Sequence, residues 1–143
     1  MSKRKGTLYE RELFHMFWNN NWAAVRSAGS GSTPLPAPDI LAGNKDNLLA
    51  IECKAIKTKS KHFNKEEIFQ LMKFANTINA VPIIAMRFDN IGWHFLKANE
   101  LEKNKGGNYT INLNLCQQKG VKFEELINFE KDTNPDNASI DNT

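Results

Sequence analysis

Residues 48–56 read LLAIECKAI, an apolar run interrupted by the charged residues Glu52 and Lys54. Its length and composition predict a buried β-strand. Because side chains alternate along a strand, Glu52 and Lys54 share one face, and Ile51 and Cys53 lie on the other. A carboxylate and an ammonium at the end of a buried strand are costly unless they contact a metal ion or each other. The pair is therefore either part of a functional site or a strand-edge ion pair.

A second carboxylate is predicted to approach this strand. Asp39 begins the preceding strand, and residues 43–47 (GNKDN) have the composition of a hairpin turn. Pairing of residues 40–43 with residues 48–51 across that turn brings Asp39 towards Glu52. Two adjacent carboxylates repel each other, and a bound Mg²⁺ relieves the repulsion. Asp39 as a simple loop or strand cap is the alternative.

A third carboxylate, Glu10, lies on the first predicted helix. The apolar residues three, four and seven positions further along share its helical face, so Glu10 is expected to point inward. Glu12 is expected to face solvent. Glu10 is either a third acid at the metal site or a partner of Arg26. The backbone carbonyl of Cys53 is a natural further metal ligand, and its thiol is expected to pack in the core.

The composition is that of an ordinary soluble domain. The 143 residues carry 19 Lys or Arg against 16 Asp or Glu, a formal net charge of +3. No apolar run approaches the roughly 20 residues that span a bilayer, and no apolar segment follows the basic N-terminus as in a secretory signal. Two cysteines cannot build a disulfide scaffold or a four-cysteine zinc site. A cytoplasmic protein with reduced thiols and no membrane partner is expected.

Charge divides the chain into two parts. Residues 130–143 contain four acidic residues and one basic residue, with almost nothing apolar to bury, and are predicted to be a disordered acidic tail. The domain predicted at residues 1–129 then carries about +6. A basic domain makes a phosphate-rich partner plausible, although a merely soluble surface is the alternative.

The order of predicted elements indicates an α/β domain in which helices flank a mixed sheet. Helices are predicted near residues 4–20, 64–79, 98–103 and 121–128, strands near residues 22–27, 39–42, 48–56, 81–88, 92–96 and 108–113, a Gly/Ser/Pro loop at 28–38 and a basic loop at 57–63.

A set of short motifs occurs in a fixed order. They are RKG at 4–6, ERE at 10–12, AVRSAGSGS at 24–32, PDI at 38–40, IECK at 51–54 and KFA at 73–75. Each motif alone is weak. Together they resemble the archaeal-type Holliday junction resolvases of the PD-(D/E)xK nuclease superfamily, over about residues 3–128. The resemblance implies a restriction-endonuclease-like fold.

The resemblance also implies a Mg²⁺-dependent, structure-selective endonuclease of DNA recombination and repair, with Mn²⁺ expected to substitute. Such an enzyme is a homodimer that nicks two strands of a four-way DNA junction. By position, Asp39 and Glu52 match the metal-binding acids and Lys54 matches the catalytic lysine. Glu10 matches the acid of the first helix, and Ser30 matches a loop serine near the scissile phosphate.

Basic residues flank the motifs that carry the resemblance. Arg11 and Arg26 match positions expected to contact phosphate or to order the acids. The residues expected to contact DNA are Lys3, Arg4, Lys5, Arg11, Arg26, Ser30, Lys57, Lys59, Lys61 and Lys65. Solvated surface is the alternative for the lysines. Gln70 is a candidate for the glutamine that many superfamily nucleases place on the following helix. On the same helix, Phe69 or Met72 is a candidate dimer contact, with core packing as the alternative.

Two rival functions remain at this point. One is another PD-(D/E)xK nuclease acting on flap, branched or duplex DNA. The other is a non-catalytic DNA-binding module that keeps the fold, against which the complete set of Glu10, Asp39, Glu52 and Lys54 argues.

Overall fold

The structure is a computed structural model that describes residues 3–27, residue 35 and residues 37–128. Ser30 and the predicted acidic tail at 130–143 lie outside the described residues. The domain boundary placed before that tail therefore stays a prediction. None of the helices in the described part of the chain has the length and apolar character needed to span a bilayer.

Four α-helices and seven strands make up the described chain. In order they are α1 (Lys3–Asn19), β1 (Ala23–Arg26), β2 (Ile40–Gly43), β3 (Leu48–Ile56), β4 (Ser60–Phe63), α2 (Lys65–Thr77), β5 (Val81–Phe88), β6 (Gly92–Lys97), a 3₁₀ turn (Ala98–Glu100), β7 (Tyr109–Asn112), α3 (Leu113–Lys119) and α4 (Phe123–Asn128).

Five strands form one mixed sheet in the spatial order β1-β2-β3-β5-β6. The central strand β3 is antiparallel to β2 and parallel to β5. A parallel pair needs a crossover connection, and here it runs through β4 and α2. The predicted mixed sheet flanked by helices is therefore confirmed.

The β2–β3 hairpin has the predicted register. Ile40 lies opposite Ile51 at one end, and Gly43 lies opposite Leu48 at the other. The turn is closed by Asn44, whose side-chain oxygen accepts hydrogen bonds from the backbone amides of Asp46 at 3.0 Å and Asn47 at 2.9 Å. This register, together with the alternation of side chains along a strand, determines which face of the sheet each β3 side chain occupies.

The sheet separates two hydrophobic clusters. The first, called the α1 cluster, contains the α1 residues Leu13 and Phe17 and also Ile51 of β3. The second, called the α2 cluster, contains the α2 residue Ile68 and also Ala50 of β3. Since side chains alternate along β3, Glu52 and Lys54 share the α2 side of the sheet with Ala50.

Helix α2 begins with a capping box. The side chain of Asn64 accepts from the backbone amide of Glu67 at 2.9 Å, and the Glu67 carboxylate accepts from the backbone amide of Asn64 at 3.1 Å. This reciprocal pair satisfies two backbone donors that a helix start leaves without intrahelical partners.

The prediction of a basic loop at 57–63 is wrong for residues 60–63, which form β4. This strand pairs with β7 in a separate two-stranded sheet, with Ser60 opposite Asn112 and Phe63 opposite Tyr109. Phe63 is the buried residue of β4, and its neighbours in that strand are exposed. The strand therefore depends on a partner far along the chain, which local sequence does not reveal.

Helix α3 was not predicted. Its start is capped by Asn112, whose side chain accepts from the backbone amide of Leu115 at 2.7 Å. Asn is among the best N-cap residues, so the signal for this helix was present in the sequence.

Candidate active site

Asp39 is fixed between two strands of the sheet. Its backbone carbonyl accepts from the Ser27 amide at 2.9 Å, immediately after β1. Its carboxylate Oδ2 accepts from the Cys53 amide of β3 at 2.8 Å. The hairpin register therefore delivers the Asp39 carboxylate to the part of β3 that carries Glu52.

The carboxyl groups of Asp39 and Glu52 lie in direct contact. Burial raises the pKa of Glu52 well above its ordinary value, and the charge of Asp39 and a hydrogen bond between the two side chains raise this pKa further. Lys54 opposes these effects. Two carboxyls held this close share a proton unless a cation lies between them and allows both to ionise.

Glu10 joins this group from α1. Burial raises the pKa of Glu10, and the negative charge of Asp39 adds to that effect, whereas Arg26 and Lys54 lower the pKa. Arg26 is held against α1 by a 3.5 Å hydrogen bond from its Nη2 to the Thr7 carbonyl. The charges of both Asp39 and Arg26 act on the Glu10 carboxylate. Glu10 as a third acid of the metal site and Glu10 as a partner of Arg26 therefore both stay open.

The Cys53 thiol belongs to the core. It packs against the α1 cluster. Burial raises its pKa well above the ordinary range, and the three neighbouring carboxylates raise it further. A neutral thiol is a poor nucleophile and a poor metal ligand. The contribution of Cys53 to the site is made by its backbone.

Lys54 lies on the face of β3 opposite to Cys53, towards α2, and shares this face with Glu52. Its Nζ is 3.8 Å from Oε1 of Glu67 and 6.0 Å from the centre of the Phe63 ring. The Lys54 side chain is 28% exposed. Sequence reasoning missed Glu67 as a neighbour of Lys54. The available signal was the Asn64 and Glu67 capping box, which fixes where the Glu67 carboxylate lies.

The donor set suits a hard divalent cation. Asp39 and Glu52 offer two carboxylates beside the backbone of Cys53, whose amide donates to Asp39, and Mg²⁺ is commonly held by one or two carboxylates while it keeps several waters. Over the described residues, no group of three or more His, Cys, Asp or Glu side chains forms a ready-made cage. Burial and the neighbouring charge of Asp39 raise the pKa of Glu52, and a cation bound between the two carboxylates would offset both effects.

Glu12 does not face solvent as expected. Its Oε1 accepts from the Arg87 Nε at 3.0 Å and from the Trp93 Nε1 at 2.7 Å. The guanidinium of Arg87 also lies 4.0 Å from the centre of the Tyr9 ring. The prediction considered only the apolar face of α1, whereas long polar side chains of β5 and β6 reach beyond that face.

The predicted DNA contacts are spread over several elements. Lys3, Arg4 and Lys5 lie in the first turns of α1. Arg11 is exposed on the same helix, and Arg26 is half-buried beside Glu10. Four lysines are exposed around β4 and the start of α2, namely Lys57, Lys59, Lys61 and Lys65.

Three α2 residues singled out in the sequence differ in exposure. Gln70 is exposed. Met72 is half-buried and packs against the α2 cluster, which favours its core alternative. Phe69 is 65% exposed, which leaves it available for a partner.

Comparison with known proteins gives consistent matches. The family model described as archaeal Holliday junction resolvase (Hjc) matches residues 1–134. The crossover junction endodeoxyribonuclease Hjc of Archaeoglobus fulgidus is 35% identical over 129 residues, covering 86% of this chain and 95% of the relative. The protein of the same name from Methanocaldococcus jannaschii is 33% identical over 124 residues, covering 87% of each chain.

A solved structure agrees with the sequence matches. The structure of Hjc from Archaeoglobus fulgidus, a Holliday junction resolvase from an archaeal hyperthermophile, superposes with a TM-score of 0.78 at 34% identity, covering 85% of this chain and 98% of that one. The match confirms the restriction-endonuclease-like fold. The chain belongs to the archaeal Holliday junction resolvase family.

Proposed function

We propose that this protein is a Mg²⁺-dependent endonuclease that resolves four-way DNA junctions by paired, symmetric nicks. The observation that carries the proposal is the contact between the Asp39 and Glu52 carboxyls, with Lys54 on the same strand. Family membership supplies the substrate class, because the relatives are named crossover junction endodeoxyribonucleases.

In this mechanism the chain's own residues hold and orient the reacting groups. Asp39 and Glu52 would hold the cation, together with the Cys53 carbonyl and Glu10. When bound, Mg²⁺ supplies a water of lowered pKa and neutralises charge developing on the phosphoryl oxygens. Lys54 orients the attacking water or donates to a phosphoryl or leaving oxygen. Ser30, outside the described residues, is proposed to lie near the scissile phosphate.

Junction binding is proposed to rest on phosphate contacts. A junction differs from duplex DNA in shape, and phosphate contacts position a protein without reading base sequence. The exposed lysines of β4 and its flanks are suited to this, since each neutralised phosphate releases counterions. Arg11 and the basic residues at 3–5 are proposed to extend the same surface, and Arg26 to order the acids.

Paired nicking is proposed to require a homodimer. A two-fold dimer places two identical sites on two strands of a two-fold substrate. The exposed Phe69 of α2 is the proposed contact between protomers. The cytoplasmic setting and the acidic tail stay predictions from composition.

The test is nicking of a synthetic four-way junction, a flap and a linear duplex of matched sequence, with and without Mg²⁺. We expect paired nicks in the junction, no cutting in EDTA and restoration by Mn²⁺. Equal cutting of linear duplex or flap would instead favour the other superfamily nucleases. Binding without cutting of any substrate would favour the non-catalytic DNA-binding module.

A further inference from the structure

We infer that Glu67 is a positioning residue, which anchors the Lys54 ammonium at the active site while the backbone amide of Asn64 holds its other carboxylate oxygen. Because Lys54 belongs to the proposed nuclease site, this role of Glu67 rests on the proposed function. Neither the motifs of the family resemblance nor the expected site residues include Glu67.

The two oxygens of Glu67 have separate tasks. Oε2 accepts from the Asn64 amide at 3.1 Å, which draws the carboxylate back over the start of α2. Oε1 lies 3.8 Å from Nζ of Lys54. The backbone bond restricts the Glu67 side chain, so the second oxygen is a fixed anchor rather than a mobile surface charge.

Lys54 needs such an anchor because its own side chain is flexible. A lysine carries its charge on a four-carbon stem with many rotamers. Phe63 limits these rotamers on one side, since its buried ring lies 6.0 Å from Nζ. The 3.8 Å contact between Nζ and Oε1 of Glu67 limits them further. Together they define where the ammonium lies before substrate binds.

The other carboxylates near Lys54 are less suited to this task. Glu52 and Glu10 lie in the field of Lys54, but Glu52 is also in contact with Asp39. In the proposed site, a bound cation would neutralise the negative charge of Glu52 and Glu10. Glu67 belongs to α2, is not among the acids proposed to hold the cation, and places its Oε1 3.8 Å from Nζ of Lys54.

The pair should matter for rate more than for stability. The side chain of Glu67 is 41% exposed, and ion pairs at exposed sites contribute little to folding. Misplacement of a catalytic group by a fraction of an ångström, in contrast, slows a reaction strongly.

Glu67→Gln tests the inference with little change in shape. The amide oxygen of Gln still accepts from the Asn64 amide, so the capping box survives while the charge beside Lys54 is lost. We expect about a tenfold fall in the single-turnover nicking rate of the four-way junction, with the dissociation constant for the junction unchanged.

Two control variants separate positioning from helix stability. Glu66→Gln removes an exposed charge from the same helical turn and should leave the nicking rate unchanged. Asn64→Ala removes the side-chain cap but leaves the backbone amide that Glu67 uses. It should lower the melting temperature without slowing nicking at temperatures well below the transition.

A second measurement does not depend on activity. In protein labelled with ¹³C-lysine, the Lys54 Cε–Hε signal is assigned by its absence in Lys54→Arg. Glu67→Gln should move this signal towards the shift of a free lysine and increase its mobility, and Glu66→Gln should not change it.

Three outcomes would overturn the role of Glu67. They are a nicking rate of Glu67→Gln equal to that of the wild type, an equal loss of rate in Glu66→Gln or Asn64→Ala, and a Lys54 signal that is the same in wild type and Glu67→Gln. A wild-type protein that cuts no junction would refute the proposed function, while the lysine signal would still report whether Glu67 holds Lys54.

Discussion

The carboxylate of Asp39 accepts a 2.8 Å hydrogen bond from the backbone amide of Cys53. This bond connects the residue before β2 to the part of β3 that carries the other acid of the site. It is made by a carboxylate oxygen and a backbone donor, so it does not depend on the Cys53 side chain. The roles of the Asp39 carboxylate and of the Cys53 thiol can therefore be tested by separate substitutions.

Asp39→Asn should abolish Mg²⁺-dependent nicking and leave junction binding largely intact. The Asn oxygen can still accept from the Cys53 amide, so the hairpin is preserved while a charged ligand is lost. We expect a rate loss of about two orders of magnitude or more, measured by single-turnover nicking. Junction affinity is measured by mobility shift in EDTA.

Asp46→Asn, in the exposed hairpin turn, is the matched control and should cut normally. Unchanged cleavage by Asp39→Asn would remove Asp39 from the mechanism.

Cys53→Ala should keep nicking within about twofold of the wild-type rate, because the site uses only the backbone of residue 53. The lost packing should reduce the free energy of unfolding by about 1 kcal/mol. Urea denaturation and junction nicking measure the two effects on one preparation. Cys116→Ala, which removes a buried thiol away from the acids, is the control. A large loss of rate confined to Cys53→Ala would give the thiol a chemical role.

Metal-free protein should lose stability as pH rises. The pKa of Glu52 is raised in the folded state above its ordinary value of 4.5. The folded protein therefore keeps a proton that the unfolded chain releases, and the free energy of unfolding falls as pH rises from 4.5 through the folded-state pKa. The raised pKa of Glu10 acts in the same direction.

Urea denaturation in EDTA between about pH 5 and about pH 8 measures this dependence. Glu52→Gln should flatten it, because Gln has no proton to retain. Mg²⁺ should restore stability most at the upper end of the range, where fewer protons compete with the cation for the carboxylates. A metal-free stability that is independent of pH, with no effect of Glu52→Gln, would contradict the raised pKa of Glu52 in the folded protein.

Local sequence was sufficient for one half of the site and insufficient for the other. Asp39 and Glu52 are joined by a short hairpin, so period-two alternation and a turn composition predicted their approach. The contact between Lys54 and Glu67 requires knowing where α2 begins relative to β3. The sequence predicts the start of α2 near residue 64, but its position relative to β3 also involves β4, which pairs with β7 far along the chain.

Glu12 shows the same limit more clearly. Its partners Arg87 and Trp93 lie 75 and 81 positions away, on β5 and β6. A helical projection of α1 predicts the exposure of Glu12 only from its position relative to the other residues of that helix. The strands that α1 crosses supply the two donors, and nothing in the local pattern of α1 indicates them.

Glu12→Ala should therefore destabilise the fold. It leaves the Trp93 Nε1 and the Arg87 Nε without their acceptor, although the Glu12 side chain is 40% exposed and water can replace part of the loss. We expect a cost of about 1 kcal/mol in the free energy of unfolding, measured by urea denaturation. Glu102→Ala, at an exposed 4.0 Å pair with Lys119, should cost almost nothing. Equal stability of both variants would show that the Glu12 contacts contribute nothing.

Phe69→Glu should separate the proposed dimer without removing the catalytic residues. A charge placed in an apolar contact between protomers is desolvated without a partner, so the dimer should dissociate. Sedimentation should then report a monomer where the wild type sediments as a dimer. Ile91→Glu is the control, because Ile91 is also an exposed apolar residue, 43% accessible, but lies in the turn between β5 and β6.

The pattern of nicks separates dimer loss from damage to the active site. A monomer keeps its acids and Lys54, so on a junction in a supercoiled plasmid it should produce nicked circles rather than the linear product of two coordinated cuts. If Phe69→Glu remains a dimer with paired cuts, the protomers meet elsewhere and the exposed ring of Phe69 has another role. If all cutting is lost while the fold is intact, Phe69 acts in DNA binding rather than in pairing the two sites.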